Sequence, residues 1–232
     1  MGILEDTVDI AYPQQPHCAT VLVLDVSASM AGEKILELSE GLGALIRALT
    51  EDDLARKRVD LAIITFGKDV RVICPFSAAD QVQDPVLEPE TFTPMGRALV
   101  RAMDLVEERK AEYRDLGIDY YRPWIFLITD GRPSDMHPGE PFWDEVVGRV
   151  HEGEKEKRFL FWALGVDKAD MKMLKEIAPA SRPPLLLKET RFYDLFVWLS
   201  KSLSRISDSS IGEQVTLENP AGPDGWGVIP TD

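Results

Sequence analysis

Ala19-Thr-Val-Leu-Val-Leu-Asp25-Val-Ser-Ala-Ser29 is the stretch on which the fold of this chain turns. An almost unbroken apolar run ends in a carboxylate and gives way to small hydroxyl residues. A strand covered on one face alternates apolar and polar side chains. A strand covered on both faces has no polar side, so this run predicts the centre of a parallel sheet.

Downstream, Ile35, Leu38, Leu42, Leu45 and Leu49 recur at steps of three and four, which predicts an amphipathic helix over 33–49. Glu51-Asp52-Asp53 marks its exit. Val59 to Phe66 reads as a second strand, Gly67-Lys68 as a tight turn and Val70 to Ile73 as a returning strand, together a β-hairpin. Residues 75–92 read as a Pro- and acid-rich loop. Thr93-Pro94 opens a helix to about Tyr113, with Leu99, Met103 and Val106 on one face. Trp124 to Thr129 repeats the buried-strand pattern and leads into Asp130-Gly131. A helix near 141–156, a strand 158–164, a helix near 168–177, a short strand 185–187 and a helix 191–205 follow.

Strands alternating with amphipathic helices predict an α/β, Rossmann-like doubly wound sheet. It is expected to be mostly parallel and six-stranded, with one antiparallel edge strand and helices on both faces. The chain divides into a lead-in over 1–17, a domain over 18–207 and an extended tail over 208–232. The tail includes Asn219-Pro-Ala-Gly-Pro-Asp-Gly-Trp226. No internal repeat is present.

Composition narrows the function. The 232 residues carry 40 acidic and 26 basic side chains, a formal net charge of −14. Such a surface repels phosphate backbones and anionic membranes, and no Lys/Arg stripe offsets it, so a nucleic-acid or membrane partner is not expected. No apolar run reaches the ~18 residues that span a bilayer. The first residues lack a basic-then-apolar leader pattern, so a cytoplasmic location is expected. Cys18 and Cys74 match no zinc or redox spacing and read as buried free thiols. His17, His137 and His151 are too scattered to form an imidazole metal site.

Three loops carry the chemistry: Asp25-Val-Ser27-Ala-Ser29, Thr93 before Pro94, and Asp130 after the Trp124–Thr129 run. In a doubly wound sheet, ligands bind outside the carboxyl ends of strands where the strand order reverses. If the two buried strands are neighbours there, Asp25 and Asp130 face each other. Two carboxylates and three hydroxyls form an all-oxygen set suited to a hard cation. A small ion that keeps several waters points to Mg2+, with Mn2+ or Ca2+ as alternatives. A cation held by so little charge stays electrophilic and accepts one more carboxylate from outside. Each residue also has a plainer reading. Ser27 and Ser29 suit caps or turns, Thr93-Pro94 is a helix-start signal, and Asp130-Gly131 is a common turn.

Taken together, Asp25-x-Ser27-x-Ser29, Thr93-Pro-Met-Gly-Arg-Ala-Leu and Ile128-Thr-Asp130-Gly131 resemble the metal-ion-dependent adhesion site of von Willebrand factor A domains. The match spans roughly residues 18–205, with the motifs in the family's order. The resemblance implies that Ser27 and Ser29 ligate the metal directly and Thr93 directly or through water. It implies that Asp25 and Asp130 bind it directly or hold its waters, and that a partner's Glu or Asp fills the sixth position. Ala28 departs from the family's common Gly but is small enough for the same loop. Val23-Leu-Asp25-Val-Ser27-Ala-Ser29-Met-Ala-Gly-Glu33, the Thr93 segment and Ser202-Leu-Ser-Arg-Ile-Ser207 are most similar to bacterial cytosolic members of the TerY type. That likeness implies a setting of tellurite resistance or chemical stress. The expected function is a metal-dependent protein–protein interaction module, not an enzyme.

Rival functions lack specific residues. A Mg2+-dependent phosphohydrolase of the haloacid dehalogenase type, with Asp25 as nucleophile, needs an acid two residues on, where Ser27 stands. It also needs a later acidic pair, but Gly131 follows Asp130. No phosphate-cradling glycine loop is present, since Gly41-Leu-Gly43 lies inside a helix pattern. A metal-free scaffold, or an adaptor for an AAA ATPase, kinase or phosphatase assembly, stays open.

Overall fold

A computed structural model describes residues 10–222 and 225–230; residues 1–9 of the lead-in lie outside the described part. The first strand, β1 (Cys18–Asp25), is buried along its whole length. Its side chains sort by parity, as a period-two backbone requires. Leu22 and Leu24 join a core that includes Leu38, Leu42 and Phe196, while Val21 and Val23 join a second core with Leu99, Val106 and Val146. Each fully buried aliphatic side chain contributes about 1.5–3 kcal/mol, so neither face of this strand can be left to water.

The remaining strands are β2 (Val59–Phe66), β3 (Val70–Ala78), β4 (Trp124–Thr129), β5 (Leu160–Gly165), β6 (Leu185–Leu187) and β7 (Gly227–Val228). They form one seven-stranded sheet in the order β3-β2-β1-β4-β5-β6-β7. β1 pairs in parallel with both β2 and β4, and β4–β5 and β5–β6 are parallel. β3 is antiparallel to β2 and β7 is antiparallel to β6. The doubly wound α/β class therefore stands, with seven strands where six were expected and an antiparallel strand at each edge. The added strand is only two residues long and comes from the tail, too short for any periodicity to register.

Helices α1 (Glu33–Glu51) and α6 (Phe192–Asp208) cover one face; α3 (Met95–Asp115) and α4 (Pro141–Lys155) cover the other. Two shorter helices, α2 (Ala55–Arg58) and α5 (Met171–Ile177), complete the body. α1 and α6 pack closely because Gly41 has no side chain: a Cβ there would stand 2.7 Å from the Phe196 ring and 3.2 Å from the Phe192 carbonyl. Gly41 serves helix packing. The acidic run after α1 also has a local use, since Asp52 Oδ1 accepts the Leu54 and Ala55 backbone N–H groups and caps α2.

Several boundaries moved. β3 runs on to Ala78, where a loop was expected after Ile73, and Pro75 is tolerated because this is an edge strand. α3 begins at Met95, and Thr93 is not its cap. Its first free amides, on Gly96 and Arg97, instead donate to Asp135, at 3.0 and 2.9 Å, so the cap comes from the loop after β4. Cys18 is fully buried and Cys74 half-buried, both as free thiols. The tail is docked where it is described: Trp226 is buried against Trp198, with ring centroids 5.6 Å apart, and Trp198 Nε1 donates to the Glu218 carbonyl.

Candidate metal centre

Strand order reverses between β1 and β4. The register sets Leu24 beside Ile128, so the next pair, Asp25 and Thr129, emerges side by side at the carboxyl ends. Thr129 Oγ1 donates to Asp25 Oδ2 at 2.5 Å, and the Ser27 backbone N–H donates to Asp25 Oδ1 at 2.8 Å. Gly131 N in turn donates to Thr129 Oγ1 at 3.1 Å, tying the second loop to the first.

The serines complete the link. Ser27 Oγ and Ser29 Oγ are 3.0 Å apart, and Ser29 Oγ donates to Asp130 Oδ1 at 2.6 Å. Thr93 enters from the segment before α3. A Cβ on Gly131 would lie 3.7 Å from Asp25 Oδ2 and 3.8 Å from Thr93 Oγ1, so both oxygens flank the same glycine. The Thr93 backbone is fixed there by Ser134: Thr93 N donates to Ser134 Oγ at 3.1 Å, and Ser134 N donates to the Thr93 carbonyl at 2.9 Å. The fold thus gathers all five residues read from the sequence, Asp25, Ser27, Ser29, Thr93 and Asp130, at one end of the sheet.

Electrostatically the cluster is short of positive charge at its base. Asp25 is fully buried, and among the described residues no Lys, Arg or His pairs with it. Burial pushes its carboxyl up to about 6, with Asp130 adding to the rise, while hydrogen bonds from Ser27 and Thr129 work the other way. A buried carboxylate partnered only by hydroxyls and one amide is the group a cation would stabilise. Asp130 differs. Its Oδ2 is met by the ammonium of Lys34, from the first turn of α1, which also lies 3.5 Å from Asp167.

Among the described residues no three His, Cys, Asp or Glu side chains gather as a metal-binding group. Any ion here would rest on two carboxylates and hydroxyls, a donor set for a hard cation that keeps water. His137 and His151 are exposed and His17 is buried at the opposite strand ends, so none of them approaches the cluster. Three contributing residues were not singled out from the sequence: Thr129, Ser134 and Lys34. Thr129 stood inside the quoted Ile128-Thr-Asp130 motif. Nothing local marks Ser134 or Lys34, whose partners lie 41 and 96 residues away.

The sequence profile of the von Willebrand factor type A domain matches residues 20–196, three quarters of the chain. The chain belongs to the von Willebrand factor type A family. No curated protein matches it. Solved structures share the fold of this von Willebrand factor type A domain at low identity. The pilus adhesin SpaC from Lactobacillus rhamnosus GG is 13% identical, with a TM-score of 0.64 over 82% of this chain and 31% of the adhesin. The present chain thus spans about a third of that protein. The vWF domain of the type V pili tip protein Mfa5 from Porphyromonas gingivalis is 12% identical, with a TM-score of 0.62 over 87% of this chain and 99% of that domain. The ArnB paralog VWA2 from Sulfolobus acidocaldarius is 14% identical, with a TM-score of 0.53 over 80% and 45% of the respective chains. Among the described residues, no helix is long and apolar enough to cross a membrane.

Proposed function

We propose that this von Willebrand factor type A domain binds a partner protein through a divalent cation held by Asp25, Ser27, Ser29, Thr93 and Asp130. The observation that carries this reading is the state of Asp25. Its carboxylate is fully buried without a basic partner among the described residues, inside a ring of oxygens at the strand-order switch. When bound, the cation supplies a Lewis-acidic point that accepts a carboxylate oxygen. The chain's own residues do the rest. Ser27 and Ser29 offer lone pairs without adding charge, Thr129 orients Asp25, and Ser134 holds the Thr93 backbone in place. Donor hardness and the few protein ligands favour Mg2+, with Mn2+ as its natural substitute.

The partner supplies a Glu or Asp. Beside Asp130 and Gly131 the surface is lined by the exposed Arg132, Lys168 and Lys172; Arg132 pairs with Asp170 at 2.8 Å, and the two lysines suit an acidic segment on an otherwise acidic molecule. The absence of an acid two residues after Asp25 argues against phosphohydrolase chemistry, so we assign no catalytic step. The motif wording alone supports the wider setting, a TerY-type stress-response or tellurite-resistance assembly in a bacterial cytoplasm. Isothermal titration with Mg2+ and Mn2+ tests the central claim. Binding by the wild type and its loss in Asp25→Ala and Asp130→Ala are expected, and silence in the wild type would overturn it.

One observation favours a second reading. Lys34 already pairs with Asp130, as a metal-free scaffold would require of a surplus acid. In that case the wild type would capture its partner equally in Mg2+ and in chelator, and Asp130→Ala would leave that capture unchanged.

A further inference from the structure

Resting on the metal reading, we infer that Lys34 is a tethered cation that sets how tightly the centre holds its ion and how strongly the loaded centre draws a carboxylate. Asp130 presents one oxygen to Ser29 at 2.6 Å and the other to the Lys34 ammonium, so both of its oxygens are engaged within the chain. Lys34 is held there by more than chance reach. It stands in the first turn of α1, two residues after Gly32, whose φ of +86° turns the chain from the serine loop into the helix. Its side chain is only 19% exposed.

The charge count gives this pairing its consequence. Two carboxylates cancel a divalent ion and would leave a loaded centre neutral. With Lys34 beside Asp130, the loaded centre gains one positive charge at its rim, offset in part by the half-exposed Asp167, and an external carboxylate meets the remainder. Before loading, the same ammonium competes with the ion for Asp130 and weakens its capture. A single residue therefore trades affinity for the metal against affinity for the partner's acid. Asp167 supplies the resting place for this trade. It lies 3.5 Å from Lys34 Nζ, half-exposed, near the start of the loop that leaves β5, where its own φ is +51°. Lys34 can transfer from Asp130 to Asp167 as the ion arrives without leaving the rim.

The test is a metal titration, followed by a ligand titration, on the full chain and on Lys34→Met and Lys34→Arg. Calorimetry with Mn2+ should show Lys34→Met binding about tenfold tighter than the wild type, since it lacks a unit charge close to the ion. Lys34→Arg should stay within about twofold. Acetate is then added to each Mn2+-loaded protein, and paramagnetic broadening of its methyl signal is followed by NMR. Half-saturation should need several-fold more acetate with Lys34→Met than with the wild type. Equal or weaker Mn2+ binding by a folded Lys34→Met, or unchanged acetate affinity, overturns the role of Lys34 alone. No Mn2+ binding by any of the three proteins overturns both this role and the metal reading beneath it.

Discussion

Thr129 Oγ1 donates to Asp25 Oδ2 at 2.5 Å, across 104 residues of sequence and between two adjacent parallel strands. The residue before one acidic loop thereby orients the carboxylate of the other. Asp25 is fully buried, so this hydroxyl is one of few groups able to compensate it. Thr129→Val keeps the shape and removes the donor. Urea unfolding of metal-free protein should show a loss of about 1.5–3 kcal/mol, as for hydrogen bonds to charged groups. Thr129→Ser should recover most of it. Equal midpoints for Val and wild type would show that the bond contributes nothing.

At the opposite strand ends, Asp60 is buried among His17, Arg109 and Tyr113. His17 Nδ1 lies 3.1 Å away, Arg109 donates through Nε and Nη2 at 3.0 and 2.6 Å, and the Tyr113 hydroxyl donates at 2.5 Å. Burial alone would raise the Asp60 carboxyl. The hydrogen bond and charge of His17, joined by Arg109 and Tyr113, more than offset this and hold it below the ordinary carboxylate range. A carboxyl depressed in the folded state adds stability above its unfolded value, near pH 4, and loses it as pH falls through the folded value. Acid titration of the melting temperature should therefore show a decline below about pH 4 that is shallower in Asp60→Asn. That variant should also lose about 3 kcal/mol at neutral pH, because it takes the buried charge partner from Arg109 and leaves the guanidinium only its pair with Glu112 at 2.9 Å. An unchanged acid limb would remove Asp60 from this account.

Gly41 marks the closest approach of α1 and α6. Gly41→Val would drive a branched side chain into the Phe196 ring and the Phe192 backbone, and only the ring could give way. Overpacking of this kind costs about 1–3 kcal/mol, more than the helix propensity gained. Thermal unfolding read by circular dichroism should place this variant below the wild type. A higher midpoint would mean that the helices have room to separate.

Trp226 anchors the docked tail. It is buried against Trp198, and its own carbonyl accepts from Lys188 N at 2.9 Å beside the last pair of strands. Trp226→Ala should cost about 3 kcal/mol and expose the surface of α6 around Trp198. Proteolysis should then cut the chain after about residue 210 faster than in the wild type. Equal cleavage rates would show that the tail holds without this side chain.

The central strands were legible because burial on both faces writes itself into a strand as an unbroken apolar run. β1 and β4 show it, and β2 does from Leu61 to Ile64, past the buried Asp60. The edges were less so. β3 alternates half-buried and exposed residues, and its extension past Ile73 is held by pairing with β2, a contact no local pattern encodes. The start of α3 was misread for a similar reason. Thr93-Pro94 has the composition of a cap, but Asp135 reaches the helix from a segment 39 residues on and takes the Gly96 amide.

By itself the sequence determined the alternation of strands and helices, the doubly wound class and the five oxygen-bearing residues, because periodicity and residue chemistry are local properties. Only the tertiary structure decided that β1 and β4 are neighbours, with Thr129 orienting Asp25 and Lys34 resting on Asp130. It also decided that the tail supplies a seventh strand. Those relationships join groups far apart along the chain. They exist only once burial of both sheet faces has fixed which strand lies beside which.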